Sequence, residues 1–197
     1  MRDEPLEDWG LSVEPIRRIE DIQAIKARLA DRPRDLLLFS LGINNGLRAG
    51  DLLRICVNQV RHLEPGERAS VRVKRTGDLA LLTVPALAYQ ALQEHLRSLD
   101  PPAPPGDMYL FAGQRGWTPL TTERLNAMVA EWTRAVGLEG HYGAETLRKT
   151  FGYIQRTRFG VDLAILSTRF GHASAAVTQR YLGLNGGLLE DVVLAEI

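Results

Sequence analysis

Hydrophobic residues recur at helical spacing along most of this chain, and they alternate in only one stretch. Ile22, Ile25 and Leu29 lie three or four residues apart, which places them on one face of a helix. Residues 70–74 instead alternate between apolar and polar side chains, and a second apolar run covers 79–84 after a turn that contains glycine. This change of period predicts a mainly α-helical fold with one small antiparallel β-hairpin or three-stranded sheet.

The helical spacing and the turn residues that interrupt it also predict the element order. The expected helices are 19–30, 33–43, 47–55, 86–99, 120–136, 145–159, 161–170, 173–182 and an amphipathic segment at 188–197. Residues 109–111 are expected to form a short strand. Residues 100–106 hold four prolines and a glycine, which predicts a surface linker that is neither helix nor strand.

Composition limits the class of protein. The 197 residues suit one domain, for which about 150–200 residues is usual. The single Cys56 excludes an internal disulfide and multi-cysteine zinc motifs. No apolar run approaches the roughly 18 residues that cross a bilayer, and the acidic start lacks the apolar core of a signal peptide. We therefore expect a cytoplasmic protein that makes no use of a membrane.

The charge is balanced overall but unevenly distributed. The chain has 24 basic and 24 acidic residues, yet 25–77 carries eleven bases against five acids, and 146–181 carries six against one. Two basic stretches are compatible with a local anion site, although they are far weaker than the charge of a strongly basic nucleic-acid module. Solvated helix faces would give the same pattern, so charge alone decides nothing.

Four short motifs remain once common sites are excluded. The chain has no Gly-rich phosphate loop, and its four histidines are too scattered to suggest a metal cluster. The first motif is Gly46-Leu47-Arg48, and the second runs from Glu145 through Arg148 to Thr150. The third is Phe170-Gly171-His172, and Tyr181 follows nine residues after that histidine.

In this order and spacing, the motifs resemble those of the tyrosine recombinase catalytic domain, also called the phage integrase domain, over about residues 19–184. The resemblance implies the DNA breaking-rejoining fold and a site-specific recombinase. It implies that Tyr181 attacks a DNA phosphate to form a 3′-phosphotyrosine bond, while Arg48, Arg148 and His172 bind that phosphate. Two guanidinium forks stay charged and bind phosphate oxygens bidentately, so we expect neither a metal nor another cofactor.

The hairpin departs from the family pattern. The resemblance implies a lysine there that protonates the leaving 5′ oxygen, and strict alignment places Arg75 at that position. Arginine is a poor proton donor because its pKa is very high. Lys74 is the only lysine near the hairpin, but a shift of one residue turns a strand side chain to the other face. We favour Lys74 and leave both residues open.

Glu145 stands where the family commonly has histidine. A carboxylate beside a phosphate is repelled unless a neighbouring cation neutralises it. Glu145 could accept the proton of Tyr181, or it could mark decayed activity. Two alternatives to the recombinase therefore stay open: a catalytically impaired DNA-binding relative and a type IB topoisomerase-like enzyme.

The resemblance also implies partners and a domain division. The expected partner is double-stranded DNA, with a tetramer on DNA and a monomer otherwise, in a bacterial cell or encoded by a mobile element. The expected DNA contacts are Arg75, Thr76, Lys149 and Arg180. Residues 1–18 are expected to be an arm or linker remnant, 19–184 the catalytic domain, and 185–197 a tail that docks on a neighbouring protomer or on its own domain.

Overall fold

The computed structural model describes residues 13–73, 77–99, 108–113 and 118–184. Within these residues the chain forms nine helices and one antiparallel sheet of two strands. In chain order the elements are α1 (Ile19–Arg28), α2 (Pro33–Asn45), α3 (Ala49–Leu52), α4 (Val57–Val60), β1 (Arg68–Arg72), β2 (Leu79–Thr83), α5 (Ala86–Ser98), α6 (Thr122–Ala135), α7 (Ala144–Thr157), α8 (Leu163–Phe170) and α9 (Ala175–Tyr181). The predicted mainly helical class with one small hairpin is confirmed.

Several expectations lie outside the described residues. They concern Lys74, Arg75 and Thr76 on the hairpin, the proline linker at 100–106, the whole tail at 185–197, and residues 1–12 of the arm. These stay predictions. In the described part of the chain, no helix combines the length and the apolar character that crossing a membrane requires.

The structure corrects the third predicted helix and the short strand. Within the predicted range 47–55 only α3 (Ala49–Leu52) is helical, and a second short helix, α4 (Val57–Val60), follows after a break in the helical backbone. The Val57 amide donates to the Met108 carbonyl (2.9 Å), and the Leu110 amide donates to the Ile55 carbonyl (2.7 Å). Because this pairing uses the groups that a helix would need, the helix ends and 109–111 forms only an isolated bridge through Tyr109.

The hairpin has a register that the sequence pattern could anticipate. Val71 of β1 lies opposite Ala80 of β2. Val71 and Leu82 face the core, whereas Leu79 and Leu81 point away from it and remain exposed. The alternation therefore buries one face of the sheet, as period-two patterning requires.

Helix α2 is the centre of a large apolar core. It packs against α5 and α7, and four consecutive or nearly consecutive side chains are fully buried: Leu37, Leu38, Phe39 and Leu41. Gly42 lets α7 approach closely, because a Cβ atom there would lie 2.7 Å from Leu147 Cδ1. Gly46 then ends α2 with φ 59°, a left-handed conformation that suits glycine.

A second, smaller apolar cluster joins α8 and α9 to α7. Its fully or almost fully buried members are Leu166, Phe170 and Leu182. Gly152 on α7 makes room for them, since a Cβ atom there would lie 2.7 Å from the Phe170 ring. The two short helices thus depend on α7 for their packing, and α9 ends at Tyr181.

Candidate active site

Arg48 is positioned by the turn that leaves α2. It follows Gly46 and Leu47 and serves as the N-cap residue of α3, with extended backbone angles of φ −64° and ψ 147°. Its half-buried side chain lines a cleft of about 370 Å³, together with Arg148, Arg169 and strand β2. Its three guanidinium groups outnumber the two carboxylates that also line it, those of Asp51 and Asp78, and this excess of positive charge attracts an anion.

Arg148 connects the large core to the small cluster. It lies on α7 and is only 5% exposed. One terminal nitrogen donates to the Gly46 carbonyl and the other to the Phe170 carbonyl, each at 2.7 Å. Its guanidinium carbon also lies 4.5 Å from the Phe170 ring centroid. Burial lowers the pKa of Arg148, but an arginine starts so high that it stays protonated at neutral pH.

Tyr181 and Glu145 are hydrogen-bonded across two helices. The Tyr181 hydroxyl donates to Glu145 Oε2 at 2.9 Å, which brings together residues 36 positions apart. Burial raises the pKa of Tyr181 strongly, the Glu145 carboxylate raises it further, and the Arg148 guanidinium opposes both. The resting phenol is therefore protonated, with a carboxylate in place to receive its proton.

His172 lies beside the Tyr181 ring. Gly171 ends α8 in a left-handed conformation (φ 63°), and this turn directs the imidazole toward α9. His172 Nδ1 lies 3.0 Å from Thr178 Oγ1, and the His172 and Tyr181 ring centroids are 4.9 Å apart. Burial, followed by the charges of Arg148 and Arg48, lowers the pKa of His172 to about 4. At neutral pH this histidine is neutral, and the Thr178 contact leaves Nε2 as the ring nitrogen for a substrate.

The structure brings the sequence-predicted residues together in two groups. Arg48 and Arg148 line the cleft, and Tyr181 and His172 lie against Arg148 where α7, α8 and α9 meet. Among the expected DNA contacts, Arg180 is exposed. Lys149 instead is buried, with its ammonium nitrogen 4.9 Å from the Tyr181 ring centroid.

Two residues of the site were missed by sequence reasoning. Thr178 is fully buried and holds His172, and only its position one turn before Tyr181 could have suggested it. Arg169 donates to the Asn45 carbonyl through both Nε (3.0 Å) and Nη2, and to the Leu81 carbonyl at 2.6 Å. It thereby ties the end of α2 to the hairpin, and its place directly before the Phe170-Gly171 turn was the available signal.

The described residues offer no set of metal ligands. Among the residues that the structure describes, no three His, Cys, Asp or Glu side chains cluster closely enough to hold an ion. The positive charge at the site comes from arginine and lysine side chains of the chain itself.

Sequence comparison finds relatives over most of the chain. A profile of the phage integrase family matches residues 17–186. The probable integrase/recombinase YoeC of Bacillus subtilis is 32% identical over 176 residues, which cover 88% of this chain and 91% of YoeC. The tyrosine recombinase XerC of Methylobacterium nodulans is 31% identical over 166 residues, covering 81% of this chain and 49% of that protein. The chain thus spans about half the length of XerC.

Solved structures share the fold. The XerA recombinase superposes with a TM-score of 0.72 at 20% identity, covering 93% of this chain and 67% of XerA. The XerH site-specific recombinase, bound to its palindromic difH substrate after cleavage, superposes with a TM-score of 0.72 at 23% identity, covering 89% of this chain and 51% of XerH. At these identities the likeness concerns the fold alone.

Proposed function

The chain belongs to the phage integrase family of tyrosine recombinases, which are enzymes that cleave and rejoin DNA strands, and from that premise we propose how its site acts. Tyr181 is the nucleophile, and Arg48, Arg148 and His172 hold the phosphate that it attacks. One observation carries the proposal: Tyr181 meets Arg148 and His172 at the contact of α7, α8 and α9.

In the cleavage step, the Tyr181 oxygen bonds to phosphorus and the bond from phosphorus to the 5′ oxygen breaks. The phenol proton passes to Glu145, whose Oε2 lies 2.9 Å away. The leaving 5′ oxygen takes a proton from a cation on the hairpin, Lys74 in preference to Arg75. Rejoining reverses each transfer when a 5′ hydroxyl attacks the 3′-phosphotyrosine.

The two arginines stabilise the charge that develops on the non-bridging oxygens. Arg148 is already fixed by two carbonyl groups and by the Phe170 ring, so its position costs little reorganisation when the phosphate binds. Arg48 lies in the same cleft and lowers the pKa of both Arg148 and His172, which reflects how closely their charges lie. A phosphate would relieve that repulsion.

Double-stranded DNA is the proposed partner, bound by a tetramer that assembles from monomers. Because the contacts to the duplex backbone are mainly arginine–phosphate pairs, including exposed Arg180, binding should weaken steeply as salt rises. We place residues 185–197 on a neighbouring protomer in that assembly, and the enzyme in the bacterial cytoplasm where such DNA is found. Deleting 188–197 should then abolish pairing of two duplexes in a native gel while strand cleavage persists.

Covalent trapping tests the proposed chemistry. In a duplex with a nick near the cleavage site, attack releases a short fragment that carries the free 5′ hydroxyl. Once this fragment diffuses away, the strand cannot be rejoined and the protein–DNA adduct accumulates. Wild type should form this adduct on DNA flanking its gene, and Tyr181→Phe should not. Tyr153→Phe is the matched control, because Tyr153 lies on α7 under Arg17 and outside the site. Equal adduct from wild type and Tyr181→Phe, or none from either, would remove the support for a tyrosine nucleophile.

A further inference from the structure

Lys149 is buried in a place where a lysine is unusual. It is one of three lysines in the chain and is only 5% exposed. A lysine on a helix normally reaches solvent with its ammonium group, and burial without a partner disfavours the charge. Here burial lowers the pKa of Lys149, and the nearby Glu145 carboxylate opposes that change. The burial calls for an interaction that keeps the ammonium in place.

The interaction is with the face of the nucleophile. Lys149 Nζ lies 4.9 Å from the Tyr181 ring centroid, within the range of a cation–π contact. Glu145, one turn earlier on α7, accepts the hydrogen bond from the same tyrosine's hydroxyl. Helix α7 therefore contacts Tyr181 at two points: the Glu145 carboxylate accepts from its hydroxyl, and the Lys149 ammonium lies over its ring.

Two more aromatic rings fix the orientation of Tyr181. The Phe170 ring meets it edge-on with centroids 5.6 Å apart and planes at 67°, and the His172 ring does so at 4.9 Å and 74°. With these angles, neither ring stacks in parallel on Tyr181. The Lys149 ammonium thus lies beside the nucleophile and, unlike Arg48, Arg148 and Arg169, does not line the cleft.

Resting on the function proposed above, we propose that Lys149 is a positioning residue for Tyr181. Its ammonium holds the ring against Glu145 and stabilises the negative charge that grows on the phenol oxygen as the proton leaves. A positive charge about 5 Å from the ring acts on the phenolate through space in a site that excludes much of the water. Lys149 would then act through the nucleophile, with no contact to the DNA backbone.

Single-turnover cleavage separates this role from DNA binding. Lys149→Met keeps the length of the side chain and removes the charge, and it should slow adduct formation at saturating protein about tenfold, with DNA affinity unchanged. Lys149→Arg should recover most of the rate. Lys26→Met, which removes a half-buried lysine from α1, is the matched control. Weaker DNA binding with an unchanged saturated rate would make Lys149 a backbone contact and overturn the proposal.

A sulfur-substituted substrate separates the nucleophile from the leaving group. When sulfur replaces the bridging 5′ oxygen, the departing thiolate needs no proton, so the loss of a general acid is rescued. Lys149→Met should remain slow on this substrate, because the charge it lacks acts on Tyr181. Rescue by sulfur would assign Lys149 to the leaving group instead and contradict the inference. Slow cleavage by Lys74→Ala that sulfur does rescue would show that the assay distinguishes the two roles.

A measurement without DNA keeps this inference separate from the proposed activity. With ring-labelled tyrosine, the Tyr181 resonance is identified by its loss in Tyr181→Phe. Lys149→Met should shift that resonance and speed the flipping of the ring, while Lys149→Arg and Lys26→Met should leave both as in wild type. An unmoved resonance in Lys149→Met would reject the contact even if cleavage is never observed, and a lack of Tyr181-dependent adduct would reject only the activity.

Discussion

The large core around α2 and the small cluster under α8 and α9 are built on different scales. The large core gathers thirty-one buried apolar residues from nine of the described helices and strands and their connections, whereas the small cluster has three: Leu166, Phe170 and Leu182. Arg48 lies just after the end of α2, beside the large core. Tyr181 is the last residue of α9 and packs against the small cluster. Arg48 and Tyr181 therefore rest on apolar clusters of unequal size.

This difference has a consequence for dynamics. Local opening needs less free energy where few apolar contacts are broken, so α8 and α9 should open before α2 and α5 do. Tyr181 and His172 then belong to the part of the domain that opens more readily, while Arg48 stays with the part that opens less readily. Arg148 links the two, because it donates to a carbonyl of each: Gly46 on one side and Phe170 on the other.

Breaking that link should have the largest effect. Arg148→Ala removes a charge from the phosphate site and leaves two buried carbonyl groups without their donor, so cleavage should fall by about a thousandfold. The melting temperature should fall as well. Arg134→Ala, on the exposed surface of α6, is the control and should cleave like wild type. Trapped adduct measured over time gives the rate, and a loss below tenfold would show that Arg148 is not central.

Two leucines, one in each apolar cluster, allow the contributions of the clusters to stability and to cleavage to be compared. Leu38 in the large core and Leu182 in the small cluster are both fully buried. Leu38→Ala should lower the free energy of unfolding by about 3 kcal/mol, as large-to-small changes in a dense core do. Leu182→Ala should lower global stability less but slow cleavage more, since it loosens the support of Tyr181. Urea unfolding and adduct formation measure the two effects, and equal losses in both variants would contradict an unequal division.

Acid should destabilise the small cluster through His172. Its pKa is about 4 in the folded protein and 6.5 in the absence of the fold. Between pH 6.5 and about 4, the unfolded chain binds a proton at His172 that the folded chain does not bind. The contribution of neutral His172 to the free energy of unfolding is therefore fully present above pH 6.5 and is lost as the pH falls through this window. The melting temperature of wild type should therefore fall more than that of His172→Gln between pH 6.5 and 4. Parallel curves would show that the histidine is not held neutral.

The smallest expected effect concerns the partner of His172. Thr178→Val removes the hydroxyl that lies 3.0 Å from His172 Nδ1 and nearly preserves the volume of a fully buried side chain. Losing this hydrogen bond should cost about 1 kcal/mol of stability and slow cleavage severalfold, because the imidazole is less well oriented. Thr133→Val is a control, since its buried hydroxyl donates within α6, to the Val129 carbonyl, and Thr133 does not line the cleft. Cleavage by Thr178→Val at the wild-type rate would leave the Thr178 contact without a catalytic role.

Much of this fold could be predicted from the sequence because its signals are local, whereas the site residues were named from the resemblance to the tyrosine recombinases. Glycine marks the turns that expose Arg48 and His172, and both Gly46 and Gly171 adopt left-handed conformations. Helical spacing located most helices within about two residues of their observed ends. A hydrophobic period and a left-handed glycine depend on neighbours within a few positions, so they survive without knowledge of the tertiary structure.

What the sequence did not reveal depends on contacts between distant segments. The break between α3 and α4 arises because residues 55–57 pair with 108–110, and no local pattern announces that pairing. In the same way, the sequence did not reveal that Lys149 lies over the Tyr181 ring, because that position results from the packing of α9 on α7. Such packing decides whether the ammonium group of a lysine on a helix reaches solvent or lies against an aromatic ring.

If Tyr181 is the nucleophile, it is the residue that becomes covalently attached to DNA, and the attachment point can be identified. The trapped adduct is digested with nuclease and protease, and the peptide that carries a nucleotide is sequenced by mass spectrometry. We expect one modified peptide, with the nucleotide phosphate on Tyr181 and none in Tyr181→Phe. A nucleotide attached to any other residue, with Tyr181 unmodified, would contradict the proposal.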